Sequence, residues 1–129
     1  MIQYNYPTVL FYGADSIQDL PLAVKEKNIK RLLLITDPGV RKAGIAEKVL
    51  QIFISQGLEI EMFDGVHPNP IEDDVTTGVK VFQSGGYEAL VALGGGSAMD
   101  VAKTIRFMAV HDPPLSQYDD ALCGEKKII

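Results

Sequence analysis

The chain has 129 residues, of which 47% are hydrophobic and 22% are charged, a composition typical of one globular domain with its own core. A net charge of −5 argues against nucleic acid as a partner, because phosphate binding needs a basic surface. No apolar run reaches the roughly 18 residues of a membrane span, and no signal-peptide pattern opens the chain. With a single cysteine, Cys123, and no membrane partner, we expect a cytoplasmic protein.

Short aliphatic segments recur along the chain and predict strands at residues 8–12, 31–36, 58–63 and 89–93. The second and fourth are continuously apolar, which is typical of strands buried on both faces of a parallel sheet. The third alternates like a half-exposed strand. The last residues, 126–129, look like the opening of a further strand.

Amphipathic helices separate these strands. Apolar residues recur at helical spacing in three segments, Ile45–Phe53, Val75–Phe82 and Ala98–Met108. An earlier helix either begins near Asp19 with Pro21 in its first turn or has a distorted start. Because parallel strands need such crossover helices, we predict a three-layer α/β domain over residues 1–129, with a mainly parallel, doubly wound, Rossmann-like sheet.

The most informative motif is the glycine-rich turn Gly94-Gly95-Gly96-Ser97, which follows an apolar strand and begins a helix. Glycines let a phosphate approach the backbone, and the amides at a helix start form an anion site. Ser97 suits the N-cap, with Asp100 as its capping-box partner. We therefore predict phosphate binding here, with a plain capped turn as the alternative, and for Asp100 the capping role is preferred to a ligand contact.

Two further polar residues follow predicted strands. Asp37 could accept hydrogen bonds from a ribose diol and repel a 2′-phosphate, which would favour NAD over NADP. The turn chemistry of Asp37-Pro38-Gly39 is an equal alternative. Asn69 is predicted to cap a helix that starts at Pro70, and capping explains it without a ligand contact.

Catalytic and metal-binding patterns are missing from the sequence. His67 and His111 have no partners at metal-ligand spacing, and no Ser-His-Asp or Cys-His arrangement can be assembled. Nothing obvious activates Cys123. We therefore expect neither a catalytic residue nor a metal site in this chain.

Taken together, the motifs resemble those of the iron-containing (group III) alcohol dehydrogenases. They are Gly-Gly-Gly-Ser-x-x-Asp-x-Ala-Lys at residues 94–103, Thr36-Asp37 after a strand, and Asp64-Gly65-Val66-x-Pro68-Asn69-Pro70. The resemblance implies that the NAD pyrophosphate binds at Gly95, Gly96 and Ser97. It also implies that Asp37 faces the adenosine ribose and that Asn69 lies near the cofactor, and it assigns Asp100 to the site more weakly.

The resemblance also implies what this chain lacks. Family members are much longer: a Thr-Thr-x-Gly-Thr loop follows the strand that opens here at residues 127–129, and an all-helical domain supplies an aspartate and three histidines to the metal. We therefore expect the N-terminal nucleotide-binding portion only, inactive by itself, with iron and a small alcohol or aldehyde substrate belonging to the full-length enzyme.

The family resemblance further implies homodimers that form through N-terminal strands, here residues 8–12, a strand-exchanged dimer being one form. Two alternative functions stay open. One is a non-catalytic nucleotide-binding or assembly module. The other is a relative of glycerol dehydrogenase, whose branch shares the Gly-Gly-Gly-Ser region but binds zinc.

Overall fold

The computed structural model describes residues 9–118; Cys123 and the strand predicted at residues 126–129 lie outside this range. Three parallel strands form the sheet in the described part of the chain, in the order β2-β1-β3. They are β1 (Arg31–Ile35), β2 (Glu59–Phe63) and β3 (Ala89–Ala92). The register places Leu34 of β1 beside Met62 of β2 and Val91 of β3.

Within residues 9–118, five α-helices connect and flank these strands. They are α1 (Leu20–Glu26), α2 (Pro38–Lys42), α3 (Ile45–Ser55), α4 (Glu72–Gly85) and α5 (Gly96–Met108), with 3₁₀ turns at Ser16–Asp19 and Leu115–Tyr118. Helix α1 follows Asp19 and carries Pro21 in its first turn, where a missing amide costs little. The structure thus selects the regular one of the two predicted starts.

The central strand β1 supplies side chains to two separate cores. Leu32 and Leu34 pack with residues of α1 and α3, and Leu33 and Ile35 pack with residues of α4 and α5. All four side chains are fully buried, as expected for a strand covered on both faces. Helices therefore lie on both sides of a parallel sheet, and the predicted three-layer Rossmann-like architecture is confirmed.

Two local predictions fail. Residues 9–12 form no strand in the single chain, and their side chains are at least half exposed, because a strand needs a neighbouring edge to satisfy its backbone groups. The apolar face of α3 also starts later than expected. Ile45, the first residue of α3 after Gly44, is exposed, and the buried residues of the helix are Ala46, Val49 and Phe53.

Candidate functional site

The ends of β1 and β3 form the point at which the sheet topology reverses. The chain leaves β1 toward β2 on one side and then crosses back to place β3 on the other side. All three strands are parallel, so their carboxyl ends at Ile35, Phe63 and Ala92 share one edge, which we call the carboxyl edge. In open α/β sheets, ligands bind in the crevice that such a reversal leaves at this edge.

The glycine-rich turn lies in this crevice, and its glycines serve different purposes. Gly94 has a φ of 143°, and a Cβ there would stand 3.0 Å from the Ala98 Cβ and 3.3 Å from Asp37 Oδ2. A side chain at Gly94 is therefore excluded by both conformation and packing. A Cβ at Gly95 or Gly96 would meet nothing within 4 Å, so these two positions leave the surface above the turn open.

Helix α5 begins without a side-chain cap. It starts at Gly96, and Gly95 occupies the N-cap position with no side-chain hydrogen bond. The prediction that Ser97 caps the helix, with Asp100 as its capping-box partner, is therefore wrong. The helix starts earlier because glycine tolerates the N-cap position, and its first amides keep no intrahelical acceptor. Together with the helix dipole, these amides make an electropositive, open surface.

Ser97 and Asp100 have other contacts. The Ser97 hydroxyl donates a hydrogen bond of 2.8 Å to the carbonyl of Pro68, which joins the first turn of α5 to the loop that follows β2. The exposed Asp100 accepts a 3.4 Å hydrogen bond from Lys103. Asp100 also lines a cavity of about 220 Å³ between the start of α4 and α5.

Asp37 caps the short helix α2. Its Oδ1 accepts hydrogen bonds from the amides of Gly39, at 2.8 Å, and Val40, at 3.0 Å, which confirms the turn interpretation. The second oxygen, Oδ2, is the atom that lies beside Gly94. The capping role thus occupies one oxygen and leaves the other directed toward the glycine-rich turn.

Asn69 lies in the segment between β2 and α4, residues 64–71, which we call the β2–α4 loop. The structure contradicts its predicted capping role, because α4 begins at Glu72. The carboxylate that holds the helix start is Asp74, which accepts hydrogen bonds from the amides of Ile71, at 3.3 Å, and His67, at 3.0 Å. Asn69 itself is exposed.

Three contacts tie the β2–α4 loop to the rest of the carboxyl edge. Asp64 at its start forms a 2.6 Å ion pair with Arg41 of α2. Pro68 in its middle accepts the hydrogen bond from Ser97. Asp74 holds its second half through the two amides. The structure therefore brings Asp37, Gly95, Gly96 and Ser97 to one crevice, with Asn69 on a loop fastened to the same crevice.

Sequence reasoning missed the role of Thr36. Its side chain is fully buried, and its hydroxyl donates a 2.8 Å hydrogen bond to the carbonyl of Leu93. This contact fixes the end of β1 to the segment that enters the glycine-rich turn. A threonine at the end of an otherwise aliphatic buried strand is the signal that could have revealed it, because a buried hydroxyl needs a partner.

Both histidines have partners that the sequence did not reveal. His67 Nδ1 lies 2.6 Å from Asp74 Oδ1, and His111 Nδ1 lies 2.7 Å from the carbonyl of Phe107, on whose ring the imidazole stacks. Burial opposes the ionisation of Asp74, but the His67 and Ile71 hydrogen bonds outweigh it and hold the pKa of this carboxyl below its usual value.

Residues 9–118 contain no group of three or more His, Cys, Asp or Glu side chains that could hold a metal ion. Iron therefore does not fit the described side chains. Nor does any helix in the described range have the length and apolar character needed to cross a membrane. A larger groove of about 410 Å³ runs between α4 and residues 108–115, but none of its lining residues belongs to the crevice.

Both the sequence and the fold are similar to known proteins. The family model described as "Iron-containing alcohol dehydrogenase" matches residues 7–129. The chain is 36% identical over 118 residues to a choline dehydrogenase of Bacillus subtilis, covering 92% of this chain and 29% of that protein. It is 28% identical over 129 residues to an NAD-dependent methanol dehydrogenase of Bacillus methanolicus, covering 100% of this chain and 34% of that protein.

The fold is similar to solved structures of the same kind. A crystal structure of 1,3-propanediol oxidoreductase superimposes with a TM-score of 0.84 at 37% identity, covering 92% of this chain and 31% of that one. The chain therefore spans about a third of the length of the relatives that it matches.

Proposed function

The chain belongs to the iron-containing alcohol dehydrogenase family, and we propose that it is the NAD-binding domain of an alcohol dehydrogenase of this family. One observation carries the proposal. The start of α5 at Gly95 and Gly96, which has no side-chain cap and open space above it, lies where the sheet topology reverses. Asp37 lies beside it, with Oδ2 directed toward the glycine-rich turn. The similarity to an enzyme named as an NAD-dependent methanol dehydrogenase supports the choice of cofactor.

The pyrophosphate would bind over Gly95, Gly96 and Ser97. The free amides of this helix start can donate hydrogen bonds to phosphate oxygens, and the helix dipole favours negative charge at the same place. No Cβ occupies the space above the two glycines, so the backbone can be approached closely. The Ser97 hydroxyl already donates to Pro68, so its backbone amide is the group that we assign to the phosphate.

The adenosine ribose would lie beside Asp37. Its Oδ2 can accept hydrogen bonds from the ribose hydroxyls while Oδ1 continues to cap α2. A negative charge at this point repels the 2′-phosphate of NADP, so NAD is the preferred dinucleotide. Asn69 would lie near the bound cofactor on the β2–α4 loop. The assignment of Asp100 is weaker and relies on its position in the wall of the adjacent cavity.

In the whole enzyme, we propose that a hydride passes between a small alcohol or aldehyde and NAD. Iron, when bound, would polarise the substrate oxygen, but the side chains of residues 9–118 do not fit that role. The part that this chain plays is to bind and orient the dinucleotide. We therefore propose that the 129 residues alone do not oxidise alcohols, because neither orientation of the substrate nor charge stabilisation is supplied.

We also propose self-association through the N-terminal segment, as a dimer. Val9, Leu10, Phe11 and Tyr12 are 76%, 73%, 54% and 102% exposed, and a contiguous exposed apolar segment favours association. Pairing of these segments between two chains, including exchange of strands, would satisfy their backbone groups. Sedimentation tests this: a dimer is expected at micromolar concentration, and a clean monomer would contradict it.

We also propose that the protein is cytoplasmic.

The binding proposal is tested by titrating the chain with NAD while recording backbone amide resonances. We expect the largest shifts at residues 94–98, followed by Asp37 and the β2–α4 loop. Shifts confined to the groove between α4 and residues 108–115 would contradict the placement. In parallel, NADH absorbance with 1,3-propanediol, butanol and ethanol, with ferrous or zinc ion added, should show no turnover; metal-dependent turnover by the pure chain would disprove its inactivity.

A further inference from the structure

Asp74 is a buried carboxylate at the carboxyl edge that the proposed NAD site does not use. The residue is 3% exposed, although it lies in the first turn of α4, where carboxylates are usually solvated. Burial of a charge is costly unless hydrogen bonds compensate for it. Its oxygens are accordingly directed at the β2–α4 loop.

Each oxygen of Asp74 has its own task. Oδ2 accepts hydrogen bonds from the backbone amides of His67, at 3.0 Å, and Ile71, at 3.3 Å. Oδ1 lies 2.6 Å from His67 Nδ1. The carboxylate therefore holds both ends of the segment 67–71, which contains Pro68 and Asn69.

The segment that Asp74 holds is also the one that touches the glycine-rich turn. The Pro68 carbonyl accepts the 2.8 Å hydrogen bond from Ser97 Oγ, and Asn69 follows directly in the chain. A change in the conformation of residues 67–71 would thus move both the partner of Ser97 and the amide of Asn69. No comparable link exists for Asp73, which is exposed on the same helical turn.

We propose that Asp74 is a positioning residue for dinucleotide binding, which acts by fixing residues 67–71 against the first turn of α5. The role rests on the proposed NAD-binding function. In this proposal Asp74 does not touch the cofactor. It fixes the position of the Pro68 carbonyl, which accepts the hydrogen bond from Ser97, and of Asn69, which would lie near the cofactor. His67 contributes through its imidazole, which adds a third hydrogen bond to the same carboxylate.

The test compares D74A, D74N and D73A with the wild-type chain. Asp73→Ala is the matched control, because it removes the same charge from the same helical turn. NAD affinity is measured by calorimetry at a temperature at which all four proteins are folded, and hydrogen exchange is measured at the His67 and Ile71 amides. We expect D74A to bind NAD about tenfold more weakly, with faster exchange at both amides and unchanged amide resonances in β1.

Asp74→Asn should recover most of the affinity, because its amide oxygen still accepts from the two backbone amides. A merely structural role would lower the thermal midpoint of D74A but leave the NAD affinity of the folded variant equal to that of D73A. If D74A does not fold, His67→Ala replaces it. That imidazole is 62% exposed, its removal leaves both amide contacts intact, and we expect affinity about threefold weaker.

The possible results separate the two proposals. A wild-type chain that does not bind NAD overturns the proposed function and the role of Asp74 together. A wild-type chain that binds NAD, with D74A and D73A binding equally well, overturns only the role of Asp74. Equal loss in D74A and D74N would also overturn it, because it would show that the charge and not the hydrogen-bonded loop is required.

Discussion

The two edges of the sheet treat their polar groups in opposite ways. At the amino edge, where the strands begin, Arg31 makes 2.6 Å ion pairs with Glu59 and Glu61. It also donates a 2.8 Å hydrogen bond to the Gly85 carbonyl and lies over the ring of Tyr87. At the carboxyl edge, the first amides of α5 have no side-chain cap. The amino edge satisfies its own polar groups, whereas the carboxyl edge leaves the first amides of α5 uncapped, which is where we propose that the dinucleotide binds.

Two carboxylates, Glu88 at the amino edge and Asp37 at the carboxyl edge, show the same contrast. The Glu88 carboxylate accepts hydrogen bonds from the amides of Lys30, at 2.6 Å, and Arg31, at 2.9 Å, and these bonds hold its pKa below the usual value. The Glu88 side chain, just before β3, therefore satisfies backbone amides at the start of β1. Asp37 at the other edge uses one oxygen in the same manner and keeps the second directed at the glycine-rich turn. This difference supports the proposed placement of the dinucleotide at the carboxyl edge.

The largest effect on stability is expected from adjacent glycines with different roles. Gly94→Ala should cost about 3 kcal/mol, because alanine strongly disfavours a φ of 143° and its Cβ would crowd Ala98. Gly95→Ala should cost less, about 1 kcal/mol, because nothing lies within 4 Å of the added atom and only the poorer N-cap preference of alanine opposes the change. Urea denaturation of both variants measures the free energies of unfolding; equal losses would contradict the different roles assigned to the two glycines.

Removal of the Thr36 hydroxyl should have the next largest effect. Thr36→Val keeps the shape but leaves the Leu93 carbonyl without its 2.8 Å donor, so we expect a loss of about 2 kcal/mol. NAD binding should weaken as well, because this hydrogen bond holds the entrance to the glycine-rich turn. Thr77→Val, an exposed threonine on α4, is the control. Unaltered stability in Thr36→Val would contradict the role assigned to this hydrogen bond.

A smaller effect is expected on the pH dependence of stability, which should differ between a carboxylate at the carboxyl edge, Asp74, and one at the amino edge, Glu88. Asp74 and Glu88 both have lowered pKa values in the folded chain, so each contributes stability that is present above its unfolded pKa and is lost as pH falls through its folded pKa. The loss should begin near the ordinary values of 3.8 and 4.5. We expect Asp74→Asn to flatten the acid limb of the stability curve more than Glu88→Gln, because Asp74 is buried and Glu88 is exposed. Thermal midpoints recorded between neutral pH and acid would reveal the reverse order if this account is wrong.

The smallest effect concerns selectivity. Asp37→Asn keeps an oxygen to cap α2 but removes the charge, so stability should be nearly unchanged while discrimination between NAD and NADP weakens by about tenfold. Parallel titrations with the two dinucleotides measure the ratio. A variant that still rejects NADP as strongly as the wild type would show that the Asp37 carboxylate does not face the ribose.

Much of the fold follows from periodicity alone, because apolar spacing reports burial directly. Apolar spacing predicts the buried face of α4 from Val75 and Val79 and that of α5 from Val101 and Ile105. These side chains pack in the core as expected. Details of the site were harder to predict because they depend on partners that are distant along the chain. Ser97 fits the local pattern of an N-cap when only its neighbours are considered, but its hydroxyl donates to the carbonyl of Pro68, 29 residues away.

The same limit explains the errors at the β2–α4 loop. Asn69 and Pro70 form a good local helix start, but the carboxylate of Asp74 competes for the amides and moves the start to Glu72. For Asp37, both predicted roles are compatible, because a carboxylate has two oxygens. Local sequence therefore predicts which edge carries the proposed site, and tertiary contacts decide which hydrogen bonds each residue makes there.

The most direct test of the central claim is calorimetric titration of Gly95→Leu with NAD. A Cβ at this position would meet no protein atom within 4 Å, so a leucine side chain would extend from it into the open space above the start of α5. Ser84→Leu, an exposed position in the last turn of α4, is the matched control. We predict that both variants stay folded, with a lowered thermal midpoint in Gly95→Leu because leucine is a poor N-cap. We predict undetectable NAD binding in Gly95→Leu and wild-type affinity in Ser84→Leu. Wild-type affinity in a folded Gly95→Leu would contradict the claim that the dinucleotide binds over this turn.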